Sequence, residues 1–209
     1  FALGEQLPQA VKDAASTPGV RLAVGISDGL PKLAAQRLLQ PVLGTPQLRL
    51  RCDEGEFDDL LGDLALHRLD LVLADRPAPS NPNLKVYSHR LGTAPVAWYA
   101  PAALAAAARR RFPQPLAELP VLLPTPHAAL RARLDAWFEA QGLRPNVVGE
   151  FEDHALMVTF GAAGLGVLPA AELIDAALLA RYGLRRVGAP EGVEERFFAI
   201  GTERRVHHP

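Results

Sequence analysis

Apolar and polar positions change period regularly along the chain. Residues 20–26 are a short apolar run rich in β-branched side chains, the pattern of a buried strand. From Pro31 the spacing turns helical, with Leu30, Ala34 and Leu38 four apart. Pro suits a first helical position, and Pro41 and Gly44 are expected to close this helix. Leu48, Leu50 and Cys52 alternate with Arg49 and Arg51, which predicts a strand with one wetter face. Phe57, Leu60, Leu61 and Leu64 mark an amphipathic helix. "LDLVLAD" (69–75) reads as a third strand, "RPAPSNPN" as a loop and "LKVYSHRL" as a fourth strand.

Near residue 92 the rhythm breaks. "APVAWYAP" (94–101) predicts another strand, followed by an Ala-rich helix and the loop "FPQPLAELP". A second round then begins with strand "VLLP" and turn "TPH". Leu130, Leu134, Trp137 and Phe138 carry the next helix, and Gly142 ends it. Strand "NVVGEF", a helix over 154–163 with Asp153 as N-cap, and strand "GVLP" follow. A short helix near 170–180 and strands "GLRRVG" and "ERFFAIGTE" complete the pattern. Near ten strands alternating with helices predict βαβ units and mainly parallel sheets. Two small α/β lobes fit better than one sheet, with a boundary at 92–95. The last strand is expected to return to the first lobe, giving two crossings and a hinge.

Composition adds limits. A chain of 209 residues makes one domain or two small ones with a real core. No window approaches the roughly 18 apolar residues of a membrane span. The single Cys52 excludes an internal disulfide framework and a Cys-based zinc cluster, and is expected as a small core residue. A net charge of -1 gives no global attraction to nucleic acid. "RRR" at 109–111 and "ERR" at 203–205 lack interleaved aromatics and are read as solvated charge. The chain opens on Phe1, so sequence is expected to precede it, and "FALGEQLPQAVKDAA" does not look like a signal peptide.

Residues 25–29, "GISDG", fit G-x-S-x-G, the pattern of a hydrolase nucleophile elbow. Only 26 residues precede Ser27 and none forms an oxyanion loop, although His127 or His154 fills a triad slot on paper. The loop has an echo: "GISDGLPKL" and "LLPTPHAAL" each run from a strand through a hydroxyl residue to Pro near a helix start. Open α/β sheets bind ligands at strand C-termini, and helix N-termini attract anions. Ser27 and Thr125 are therefore either two polar jaws of one cleft or plain helix caps. Arg76 suits a carboxylate ligand or an ion pair with Asp75 or Asp28. His127 suits an anion, a pH response or a solvated loop. Asp28, Glu54, Glu150 and Asp153 either join the Ser27 and Thr125 oxygens around a hard cation or cap helices.

Taken in order, "VRLAVGISDGLPKLAAQRLL", "LRCDEGEFDDLLGDLALHRLDLVLADRP" and "FEDHALMVTFGAAGLGVLP" resemble the effector-binding domain of LysR-type transcriptional regulators, over residues 19–203. "ADRP" with "GEFED" is similar to the branch of sodium/proton antiporter activators, which implies a sodium response. The resemblance implies a type 2 periplasmic-binding-protein-like fold, two Rossmann-like α/β lobes joined by crossover strands. Residues 1–18 would end a linker helix, 19–93 with 192–209 would form lobe I, and 94–191 lobe II. It implies a small-molecule or ion effector in the inter-lobe cleft, against Ser27, Asp28, Gly29, Glu54, Gly55, Asp75, Arg76, Thr125, Pro126, His127, Glu150 and Asp153. It also implies homodimers through effector domains, tetramers of the full-length protein, DNA contact only through an N-terminal helix-turn-helix domain, and a cytoplasmic location. No membrane, cofactor, resident metal or catalysis is implied. A free-standing solute-binding protein and a serine hydrolase using Ser27 are the alternatives.

Overall fold

The computed structural model describes residues 21–202, so the predicted linker-helix end and the "ERR" run lie outside the described residues. The chain divides into two compact units. One takes in the residues up to Gly92 and again from Arg196; the other is Thr93–Glu195. The chain passes between them twice, within the strands Tyr87–Ala100 and Glu194–Gly201.

The first unit runs β1 (Arg21–Ser27), α1 (Lys32–Leu43), β2 (Arg49–Gly55), α2 (Phe57–Ala65) and β3 (Leu71–Ala74). β1 is central, parallel to β2 on one side and β3 on the other. The last strand of the chain, here numbered β9 (Glu194–Gly201), closes the β3 side antiparallel. The apolar spacing of α2 puts Phe57, Leu60, Leu61 and Leu64 on one face, packed on Ala23, Val72 and Ile200. Burying each such Leu contributes about 2 kcal/mol. Asp58 and Asp59 fall in the first turn, where the helix dipole favours acids.

The second unit runs from β4 (Tyr87–Ala100) through α3 (Ala102–Arg109), β5 (Val121–Pro124), α4 (Ala129–Ala140) and β6 (Val147–Phe151). It continues through α5 (His154–Ala162), β7 (Leu168–Ala171), α6 (Asp175–Tyr182) and β8 (Arg185–Gly188) to the start of β9. β5 and β6 pair in parallel, and β7 and β8 pair antiparallel with β4. Trp137 of α4 anchors the core, with ring centroids 6.3 Å from Trp98, 6.1 Å from Phe112 and 5.1 Å from Phe138. Such ring pairs add about 1 kcal/mol each beyond their buried area. Gly166 of "GLGVLP" has a steric reason: a Cβ there would stand 2.6 Å from the Pro120 carbonyl oxygen.

Four expectations need correction. The strands expected over 84–91 and 94–101 are one strand, β4. Gly92 and Pro95 suggest a break, but the ladder to β7 begins at Val96 and that to β8 at Trp98, so Pro95 interrupts neither. α1 does not close at Pro41 but runs through it to Leu43, because the prolyl position lies on the exposed side of the last turn. Cys52 is exposed rather than core, since β2 is an edge strand. Its thiol is pushed up by partial burial and by the Asp53 and Glu54 carboxylates, away from a reactive thiolate. The sheets are not mainly parallel: β9 runs antiparallel to β3, and β7 and β8 run antiparallel to β4.

Candidate functional site

Each unit ends its leading strand in the same backbone device. In the first, the Ser27 carbonyl accepts from Leu30 N at 2.9 Å, and Asp28 N donates to Gly55 O at 3.3 Å. In the second, the Thr125 carbonyl accepts from Ala128 N at 3.1 Å, and Thr125 N donates to Phe151 O at 3.0 Å. Each turn is thereby tied to the end of the neighbouring parallel strand and releases the chain into a helix. The capping alternative fails for both hydroxyls. The N-caps are Pro31 and Ala128, and neither helix has a side-chain cap bond.

In the first unit the expected site residues cluster at the C-terminal ends of β1, β2 and β3. Ser27 is buried at 3% exposure and faces Gly55 in the parallel register. Burial of this degree does not suit an exposed nucleophile elbow. Asp28 and Gly29 are half-buried. A Cβ on Gly29 would stand 2.8 Å from Asp75 Oδ2, so the glycine makes room for a carboxylate that is itself buried. The Arg76 guanidinium lies over the Phe57 ring, 4.7 Å from its centroid. Glu54 points to the surface, where Lys32 Nζ donates to it at 3.0 Å.

In the second unit Thr125 Oγ1 is shielded from solvent and has no hydrogen-bond partner among the described residues. Pro126 and His127 are exposed. Glu150 is held by Arg131, which also donates to Asp135 at 2.9 Å and to the Pro124 carbonyl at 2.8 Å. Asp153 caps α5, its Oδ1 accepting from Leu156 N at 2.8 Å. The cap alternative therefore holds for Asp153, while Glu54 and Glu150 are ion-paired. Among the described residues no group of three or more His, Cys, Asp and Glu side chains stands together as a metal set.

One residue here was not expected as a ligand contact. His154, the first residue of α5, has its Nε2 sealed from solvent and without a hydrogen-bond partner among the described residues. Burial pushes its pKa down to about 4, against the Asp153 carboxylate and the Pro169 carbonyl that favour the proton. The sequence signal is its place just after an N-cap at a strand C-terminus. A single His on a helix start carries too little information to show that its ring turns inward.

Two α/β units, each closing a parallel strand in a hydroxyl-bearing turn, with the chain crossing twice between them, define a small-ligand binding domain of the type 2 periplasmic-binding-protein class. The chain belongs to the LysR substrate binding domain family, whose model matches residues 16–209. It is 32% identical over 188 residues to the transcriptional activator protein NhaR of Escherichia coli, covering 89% of this chain and 61% of that protein. The chain thus spans about three fifths of the length of the curated relatives it matches. Among solved structures, the cofactor-binding domain of the Cbl transcriptional regulator has a TM-score of 0.72 at 17% identity, covering 93% of this chain and 85% of that one. The effector binding domain of QuiR in complex with shikimate has a TM-score of 0.66 at 14% identity, covering 92% and 91%. No helix among the described residues is long and apolar enough to cross a membrane.

Proposed function

We propose that this chain senses a small polar molecule or ion for a LysR-type transcription regulator, with the Ser27–Gly29 and Thr125–His127 turns as its ligand-contacting segments. The observation that carries this reading is the repeated turn, with the buried Thr125 Oγ1 left unbonded among the described residues. An unsatisfied buried hydroxyl costs about 1–3 kcal/mol, which a ligand hydrogen bond would recover. Gly55, Asp75 and Arg76 complete the first set of contacts; His154 joins the second. Binding shifts the populations of the domain's conformations and so passes a signal to DNA. DNA is contacted through an N-terminal domain outside this chain, in a cytoplasmic protein whose effector domains pair and whose full-length form is a tetramer. No substrate is turned over. NhaR is an activator by name, and sodium heads the effectors to try.

The test is a titration of the chain with sodium chloride against potassium chloride, and with small carboxylates. Trp98 and Trp137, which pack in the second unit, report by fluorescence. A ligand that saturates wild type should bind at least tenfold more weakly to Ser27→Ala and to Thr125→Val. A ligand that binds all three equally would remove the turns from the site. Hydrolysis of an activated ester, lost in Ser27→Ala, would favour the hydrolase alternative.

A further inference from the structure

Two polar side-chain atoms of the second unit, Thr125 Oγ1 and His154 Nε2, are sealed from solvent and have no hydrogen-bond partner among the described residues. They lie far apart in sequence, but the strand order brings them together. β5 lies between β6, its parallel partner, and the segment that enters β7. On that second side Leu122 N donates to Val167 O and Val167 N to Pro120 O, both at 2.8 Å. His154 opens α5 just past the end of β6, yet its Nδ1–H donates to the Pro169 carbonyl of β7. To reach from β6 to β7 the imidazole spans the end of β5, and Thr125 is the first residue beyond that end. α5 packs on all three strands.

The Pro169 bond also fixes the tautomer. A neutral imidazole has one N–H and one lone pair, so with the proton on Nδ1 the sealed Nε2 is an acceptor. Burial holds the pKa of the ring down to about 4 and so keeps it neutral. The amides of Thr125, Ala128 and Leu156, which would otherwise serve an oxyanion, are already bonded to Phe151 O, Thr125 O and Asp153 Oδ1.

We propose that this point takes a hydrogen-bond donor from the ligand, an amine N–H or an alcohol O–H, shared between His154 Nε2 and Thr125 Oγ1. An oxyanion fits worse. It brings only lone pairs to the lone pair of Nε2, and it meets the Asp153 carboxylate that acts on the same ring. A bare hard cation also fits worse, since it takes oxygen ligands and finds a nitrogen beside one hydroxyl. A protonated amine fits best, because the Asp153 carboxylate favours positive charge beside it. This inference rests on the reading of the Thr125 turn as a ligand-contacting segment and deepens it by naming the class of ligand. The first unit makes no such demand, since α2 opens on Phe57 where α5 opens on His154.

Titration with propylammonium chloride, 1-propanol and sodium propionate tests it, read by Trp98 and Trp137 fluorescence. The probes share a three-carbon chain and differ in whether they donate or accept. Propylammonium should bind wild type at least tenfold more tightly than propionate, with 1-propanol between them; tenfold is the scale of one hydrogen bond. His154→Phe, which copies Phe57 of the first unit, should weaken propylammonium to the level of propionate. His154→Asn keeps a donor for Pro169 but lacks the Nε2 acceptor, so it should do the same. It also guards against a folding loss in the phenyl variant, and circular dichroism checks both. Propylammonium binding that survives both variants would overturn the inference. So would propionate binding that is lost in Thr125→Val but kept in the His154 variants; that result removes the donor class and leaves the turn in place. Wild type that binds none of the probes would assign the two atoms to ordered water and overturn it as well. Failure of the turn reading shows separately, as a ligand of any class that binds Thr125→Val as tightly as wild type.

Discussion

The turn at Ser27 and the turn at Thr125 are one backbone design with two different linings. Each continues its strand for one more hydrogen bond to the neighbouring strand, at Gly55 or Phe151, and closes with an i to i+3 bond. Each neighbouring strand carries a glutamate just before its last residue, Glu54 or Glu150, held by a base from the helix after the turn. Each is followed by a helix whose N-cap is acidic, Glu56 or Asp153. The linings then part. The first unit fills the space with a buried carboxylate, Asp75, against Gly29, and with Phe57 under Arg76. The second puts His154 where the first has Phe57, and leaves Thr125 Oγ1 and His154 Nε2 without partners among the described residues. The backbone device is a generic ligand edge; the side chains give one turn a buried carboxylate and a guanidinium over an aromatic ring, the other a hydroxyl and an imidazole.

The largest test of that difference is pH. His154 titrates near 6.5 in an unfolded chain and near 4 when folded. Between those values the unfolded chain holds the proton and the folded chain does not. Stability is therefore fully present above 6.5 and is lost as pH falls toward 4. A tenfold change in proton affinity is worth about 1.4 kcal/mol, so the loss reaches about 3 kcal/mol at most. Urea unfolding at several pH values should show it. His154→Gln should flatten the difference, because carboxylate contributions are common to both proteins. Parallel curves for the two proteins would mean the ring is already open to water.

How much of this is legible in the sequence follows from range. Local spacing is enough for α2 and α4, because their apolar faces recur within one or two turns, and the Asp153 cap marks the start of α5. The paired turns are legible as well, since strand, hydroxyl, proline and helix lie within ten residues in each case. β4 is not, because a glycine followed closely by a proline looks like a break unless the partner strands are known. Cys52 misleads because alternation shows which residues share a face, not whether that face is covered. The clamp at Arg131 depends on Pro124 and Glu150 from two strands, and the Arg109–Arg186 bond spans 77 residues. Neither contact leaves a mark within any short window.

The second test sets the two glutamate clamps against each other. Lys32 and Glu54 are 44% and 49% exposed, a solvated pair. The Arg131 side chain is 16% exposed and ties Glu150, Asp135 and the Pro124 carbonyl together. Lys32→Gln should cost less than about 0.5 kcal/mol. Arg131→Gln should cost about 1–2 kcal/mol, because a charged donor to a strand-end carbonyl is lost along with two ion pairs. Chemical denaturation of both variants gives the comparison. Equal small losses would show that the second turn is no better anchored than the first.

The smallest effect separates the two caps. Asp153 Oδ1 accepts from Leu156 N at 2.8 Å and satisfies a donor that the first turn of α5 leaves open. Glu56 stands at the same place before α2, but its side chain makes no cap bond. Its extra methylene carries the carboxylate past the N3 amide that an aspartate reaches. Asp153→Ala should therefore cost about 1 kcal/mol, and Glu56→Ala only a few tenths, through the helix dipole alone. The dipole contribution should vanish in high salt while the cap bond should persist, so urea unfolding at low and high salt separates them. If Asp153→Ala matched Glu56→Ala under both conditions, α5 would owe its start to packing.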